Sequence, residues 1–93
     1  PEVIYNSFTV NRNAKMIGHK DKGNFGNSFI MGFGNYKGGE LMIDSKKNND
    51  DLEKCKWNKI NINKNPLEFD GKSHFHKVAP FTGDRFTLVA YYI

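Results

Sequence analysis

Apolar and polar positions alternate in short runs along this chain, and turn-forming residues separate the runs. Val3 to Val10 alternates loosely and is rich in β-branched and aromatic residues, which predicts a strand. Met16 and Ile17 lead into a polar, glycine-punctuated stretch from Gly18 to Asn27. Ser28 to Phe33 is apolar and strand-like. Gly34, Asn35, Gly38 and Gly39 then supply turn chemistry, and Glu40 to Ile43 follows as a short strand, so the two segments predict a hairpin.

Ser45 to Lys54 is polar and charged and predicts a mobile loop, with no more than a helical turn near Asp51 to Cys55. Trp57 to Ile62 alternates again, and Asn63 to Pro66 is a turn. Leu67 to Phe69, His74 to Val78 and Arg85 to Ile93 predict three further strands, with turns at Asp70-Gly71 and Gly83-Asp84. No segment carries an apolar face at helical spacing over an ordinary helix length. About seven short strands in 93 residues predict an all-β domain, a sandwich, barrel or jelly roll, spanning 1–93 as a single unit.

Composition agrees with a sheet-rich globule: hydrophobic residues make up 38% of the chain and aromatics 14%, and aromatics favour strands. The net charge of +4 permits contact with nucleic acid. However, twelve of the fourteen cations are lysines scattered among asparagines, so charge alone does not mark a nucleic-acid surface. Cys55 is the only cysteine and can make no internal disulfide, which predicts a reducing, intracellular setting and a soluble protein. It sits in a charged stretch with no second thiol and reads as incidental. No apolar run approaches the length of a membrane span, and the chain does not open on a charged-then-apolar leader.

The chemistry-bearing residues are His19-Lys20-Asp21, then His76, then Arg85. Residues two apart in an extended chain point to the same side, so His19 and Asp21 can reach one metal while Lys20 turns away. A histidine from a distant strand completes two imidazoles and one carboxylate, a facial set that suits non-haem iron(II) and leaves coordination positions open. Arg85 lies nine residues after His76 and shares a strand face with Thr87, Val89 and Tyr91. Its planar fork suits a carboxylate, and the Thr87 hydroxyl can serve the same target. His74 precedes the same proline as His76 and competes for the role of distal ligand. Asn11, Asn13, Asn24 and Ser28 flank the first ligands as secondary candidates, with turn or edge-strand roles as the alternative. Tyr36, with Gly38 and Gly39, reads as turn chemistry, and Trp57 as a core anchor.

These residues together resemble the Fe(II)/2-oxoglutarate-dependent dioxygenase superfamily. Its motif is H-x-D, a distal His, an Arg about nine residues later, and a Ser or Thr two beyond. Here those positions are His19, Asp21, His76, Arg85 and Thr87, and the nine-residue offset selects His76 over His74. The segments HKDKGNFGNSFIMGFGNYKGGEL and FDGKSHFHKVAPFTGDRFTLVAYY resemble the family's opening and closing segments, and within the superfamily most resemble the compact TET/JBP-like group. The resemblance implies a double-stranded β-helix (jelly-roll, cupin-like) core in a minimal form. It also implies Fe(II) held by His19, Asp21 and His76, 2-oxoglutarate held by Arg85 and Thr87, and O2 as the oxidant. The implied reaction is oxidation of a C–H bond in a macromolecular substrate, a nucleic-acid base methyl being one candidate. A prolyl-type protein hydroxylase shares the same metal and arginine logic, and a catalytically silent β-sandwich binding module is the reading from another class.

Overall fold

The computed structural model describes residues 5–93, and within them the chain is almost entirely strand and loop. The strands are β1 (Ser7–Arg12), β2 (Ser28–Gly38), β3 (Leu41–Asp44), β4 (Trp57–Ile60), β5 (Leu67–Phe69), β6 (His76–Val78) and β7 (Phe81–Tyr91), with one 3-10 turn at Leu52–Lys54. No helix among the described residues is long and apolar enough to cross a membrane. The strands form two antiparallel sheets, one ordered β1-β7-β2-β5 and the other β4-β3-β6. The all-β class is therefore the observed one. Of the first predicted strand, Val3 and Ile4 lie outside the described residues.

The two sheets share one core. Ile30 on β2, Leu41 on β3 and Ile62 just past β4 are buried at its centre, and Ile43, Ile60, Leu67, Phe69 and Val89 pack against them. Alternation along the strands produces this layout. On β7, Arg85 and Thr87 are buried while Phe86 and Leu88 turn to the opposite face. On that outer face Phe33 and Phe86 stack across β2 and β7, with centroids 5.5 Å apart.

Four expectations from the sequence are corrected. Ser28 to Phe33 and Glu40 to Ile43 do not form a hairpin. β2 continues to Gly38 and pairs with β7 from Phe29 to Gly38, whereas β3 belongs to the other sheet. Gly83-Asp84 is not a turn but lies inside β7, opposite Tyr36 and Asn35. Gly34 and Gly83 have φ of +114° and +97° within paired strands, so glycine here bends a continuing ladder and does not end it.

The stretch from Ser45 to Lys54, expected to be mobile, is pinned by Asp44. That carboxylate is fully buried and accepts hydrogen bonds from Asn49 Nδ2 at 2.9 Å and from the backbone N–H groups of Lys46 and Lys56 at 3.1 and 2.9 Å. Asp51 caps the 3-10 turn by accepting from Glu53 N–H. Trp57 is not a core anchor: it is half-buried, with the Lys77 ammonium 4.4 Å from its ring centroid.

Candidate metal and anion site

Backbone pairing brings together the candidate metal triad. His19 lies outside any long strand but forms an isolated antiparallel bridge with His76 at the start of β6. The next ligand is fixed by the Asp21 N–H, which donates to Gly71 O at 2.8 Å. The Lys20 side chain turns away and donates to Asn49 O, with its ammonium 4.6 Å from the Phe75 ring centroid. The i, i+2 geometry therefore places His19 and Asp21 together as the spacing requires.

One ligand atom from each of His19, Asp21 and His76 lies within 4.8 Å of the others. His19 Nε2 is 3.4 Å from Asp21 Oδ1, and His76 Nε2 is 3.2 Å from Asp21 Oδ2. The other nitrogen of each ring faces a backbone carbonyl: His19 Nδ1 is 2.9 Å from Ile17 O and His76 Nδ1 is 3.0 Å from His74 O. A carbonyl oxygen only accepts, so each Nδ1 carries the hydrogen. In a neutral ring, Nε2 then presents a bare lone pair toward a carboxylate. Two such lone pairs aimed at one carboxylate suit a divalent cation, and carbonyl-oriented imidazoles are the usual support for bound metal. Burial pushes the Asp21 carboxyl up, but where the Nε2 atoms carry hydrogen in place of a metal, the hydrogen bonds and positive charge of the His76 and His19 imidazoles outweigh it and leave it below the usual carboxylate range. The donor set thus fits a metal such as iron(II).

His74 is not in the triad. It sits in a bend before β6, which starts at His76, and its Nδ1 lies 2.8 Å from Asp44 O. The offset to Arg85 had favoured His76, and the backbone gives the reason: only His76 bridges His19.

Two members of the triad, Asp21 and His76, border a cavity of about 320 Å³. Asp21 and His76 line one part of it, Arg85, Thr87, Val89 and Tyr91 supply a wall from one face of β7, and Ile30, Leu41 and Phe69 make it largely apolar. Arg85 is 2% exposed. Its Nε donates to Gly39 O at 3.1 Å, and the rings of Tyr36 and Phe81 flank the guanidinium, each with its centroid 5.7 Å from Cζ. Burial pulls this guanidinium below its ordinary pKa, against the opposing influence of the Tyr36 phenol. Nη2 of Arg85 and the Tyr36 hydroxyl are near enough to influence each other, yet both are buried and neither makes a hydrogen bond of ordinary geometry. Among the described residues no carboxylate pairs with Arg85. A buried, unpaired cation is costly. Its unmet donor, on a residue that lines the cavity, fits a small anionic ligand.

The secondary candidates divide. Asn11 and Asn24 line the cavity, and Asn24 donates to the buried Ser28 hydroxyl at 3.2 Å. Asn13 instead ties β1 to β7: its N–H donates to Arg85 O and its Oδ1 accepts from Arg85 N–H at 2.7 Å. Cys55 is half-buried, and burial with the nearby Asp44 carboxylate pushes its thiol pKa up, which disfavours the nucleophilic thiolate. Sequence reasoning missed Tyr36, Gly39 and Gly71 as parts of the site. All three sit in segments whose glycines signal a turn, and only the strand register shows that Tyr36 and Arg85 are same-face diagonal neighbours. Comparison with protein families, curated proteins and solved structures finds no match for the chain.

Proposed function

We propose that this chain is the core of an Fe(II)/2-oxoglutarate-dependent dioxygenase on a double-stranded β-helix, oxidising a C–H bond of a macromolecular substrate. One observation carries the reading. A His/Asp/His triad has both Nε2 atoms aimed at Asp21, and two of its members, Asp21 and His76, line the same cavity as a buried arginine with an unmet donor. His19, Asp21 and His76 hold the metal, and their carbonyl-bonded Nδ1 atoms keep each ring in the ligating tautomer. Arg85 receives the distal carboxylate of 2-oxoglutarate, with the Tyr36 and Thr87 hydroxyls beside it. A single guanidinium matches the single charge of a carboxylate. Ile30, Leu41, Phe69 and Val89 exclude water from the space between. Bound iron(II) and 2-oxoglutarate supply the oxygen activation, releasing succinate and carbon dioxide.

Nucleic acid is the substrate class that the surface favours. Phe25 is 61% and Tyr92 46% exposed, their rings meet edge-on at 6.4 Å, and the Lys72 ammonium lies 5.2 Å from the Phe25 centroid. Each of the three follows a residue of the site region: Asn24 and Tyr91 line the cavity, and Gly71 bonds Asp21. Exposed rings beside a cation suit stacking with a base.

The test is succinate formation from 2-oxoglutarate with Fe(II), comparing wild type with Asp21→Ala and Arg85→Ala. Turnover in wild type and a loss of two or more orders of magnitude in both variants is expected. Equal rates in all three would leave a non-catalytic binding module. Coupled turnover on a prolyl peptide but not on nucleic acid would assign a protein hydroxylase.

A further inference from the structure

Gly71 is buried, and its φ lies outside the left-handed region. Backbone freedom is therefore not the reason for a glycine here. Space is. A Cβ built on Gly71 would stand 2.7 Å from Asp21 Oδ2, 3.2 Å from Phe69 Cε2 and 3.3 Å from His76 Cε1. The first distance is shorter than real Cβ contacts, and the other two are tight. The three neighbours are the carboxylate of the triad, one of its imidazoles, and the ring that meets that imidazole edge-on with centroids 5.1 Å apart.

The main chain of the same residue acts in the same direction, because Gly71 O accepts the Asp21 N–H at 2.8 Å. The surrounding turn is itself held. Asp70 Oδ1 accepts from the N–H groups of Lys72 and Ser73, each at 3.2 Å. Asp70 O accepts from His74 N–H at 3.2 Å. His74 O in turn faces His76 Nδ1 at 3.0 Å. The five residues from Asp70 to His74 thus touch two members of the triad, Asp21 through Gly71 and His76 through the His74 carbonyl.

We infer that Gly71 is a positioning residue of the metal centre: its missing side chain lets the Asp21 carboxylate stand between the two imidazoles, and the Asp70–His74 turn holds it there. The inference rests on the metal reading above. Outer-shell supports of this kind change metal affinity by about 10–100-fold. A methyl at position 71 must displace the carboxylate or the imidazole, because the third neighbour is a ring already packed on His76. The atom the methyl meets most closely is the end of the half-buried Asp21 side chain and not main chain, so the metal-free fold is expected to accommodate it.

Co(II) is a suitable probe, because its visible absorption bands report coordination geometry without turnover. Co(II) titration of wild type, Gly71→Ala and Asp70→Ala, with thermal melts of each metal-free protein, tests the inference. The expected result is a tenfold or greater loss of Co(II) affinity and altered bands in Gly71→Ala, at a melting temperature within a few degrees of wild type. Wild-type affinity and bands in Gly71→Ala would overturn it. If Gly71→Ala does not fold, Asp70→Ala decides. A folded Asp70→Ala with severalfold weaker Co(II) binding supports the turn's role, and unchanged binding overturns it. Failure of wild type itself to bind Co(II) would remove the metal reading, an outcome visible before any variant is compared.

Discussion

His19 and His76 face each other as a hydrogen-bonded antiparallel pair, the backbone N–H of each donating to the carbonyl of the other at 3.1 and 3.0 Å. Their ring centroids stand 4.3 Å apart. Two residues 57 positions apart in the chain therefore present their imidazoles side by side because the main chain fixes both. A metal that binds this pair and Asp21 binds the folded state, and the unfolded chain offers no such site. Ligand at a hundredfold excess over its Kd then adds about 2.7 kcal/mol. For a domain of this size that raises Tm by very roughly 10–20 °C. We expect Co(II) to raise Tm in wild type, a chelator to reverse the rise, and Asp21→Ala or His76→Ala to show none of it. A scanning melt with and without metal checks this, and a rise of equal size in the variants would place the metal elsewhere.

Arg85 and Tyr36 each keep a buried polar atom without a hydrogen bond of ordinary geometry, and on the proposed reading a ligand carboxylate meets both. Arg85→Lys replaces a planar fork with a point charge that cannot bond bidentately, so 2-oxoglutarate binding to Co(II)-loaded protein weakens by about a hundredfold or more. Tyr36→Phe removes one hydrogen bond to that carboxylate, a loss of about 1.5–3 kcal/mol or roughly tenfold to a hundredfold. Co(II) affinity stays unchanged in both variants, because neither residue belongs to the triad. Calorimetric titration of 2-oxoglutarate separates the two effects. Wild-type affinity in Arg85→Lys would show that the anion sits elsewhere.

The legible parts of the sequence were those set by local geometry. The i, i+2 rule put His19 and Asp21 on one side, and the alternation from Arg85 to Tyr91 named a cavity wall. What failed was long-range pairing. Gly34 and Gly83 look like turn residues, yet they sit inside strands that pair with each other's neighbours, Gly34 with Arg85 and Gly83 with Tyr36. Nothing within a short window distinguishes a glycine that ends a strand from one that bends it. Ile62 was placed on a strand but is a core residue beyond its end, held where Gly32 N–H donates to Ile62 O. Asp44 was unreadable for the same reason, since its partners are main-chain groups whose positions depend on the whole loop.

Asp44 sets an acid limit on stability. Burial would raise its pKa, but the hydrogen bonds from Asn49 and from the N–H groups of Lys56 and Lys46 outweigh this and bring it to about 2. The folded value lies below the unfolded one, so the carboxylate stabilises the fold above the ordinary aspartate pKa. That contribution is lost as pH falls from about 4 to about 2. Its size is about 2 kcal/mol. Asp44→Asn lacks the charge and brings an amide donor toward two N–H donors. It should be less stable than wild type by that amount or more at pH 6, with the gap closing toward pH 2. Urea unfolding of both proteins between pH 2 and pH 6 measures this, and a gap independent of pH would assign the loss to packing.

Phe25 and Tyr92 are held together by main chain, since Phe25 N–H donates to Tyr92 O at 2.8 Å. The pair is thus a fixed surface attached to the segment that carries Asp21, and not two independent exposed rings. Stacking a base on such a ring is worth about 1–3 kcal/mol, so Phe25→Ala should weaken single-stranded oligonucleotide binding by between about fivefold and a hundredfold. Lys72→Ala should act differently. It removes a phosphate-directed charge, so the decline of log K with log salt becomes shallower by about one contact. Co(II) binding is untouched in either variant, because neither side chain reaches the triad. Fluorescence anisotropy with a labelled single strand at several salt concentrations separates the stacking loss from the ionic one. Equal affinity in wild type and Phe25→Ala at every salt concentration would remove nucleic acid as the favoured substrate class while leaving the metal and anion subsites standing.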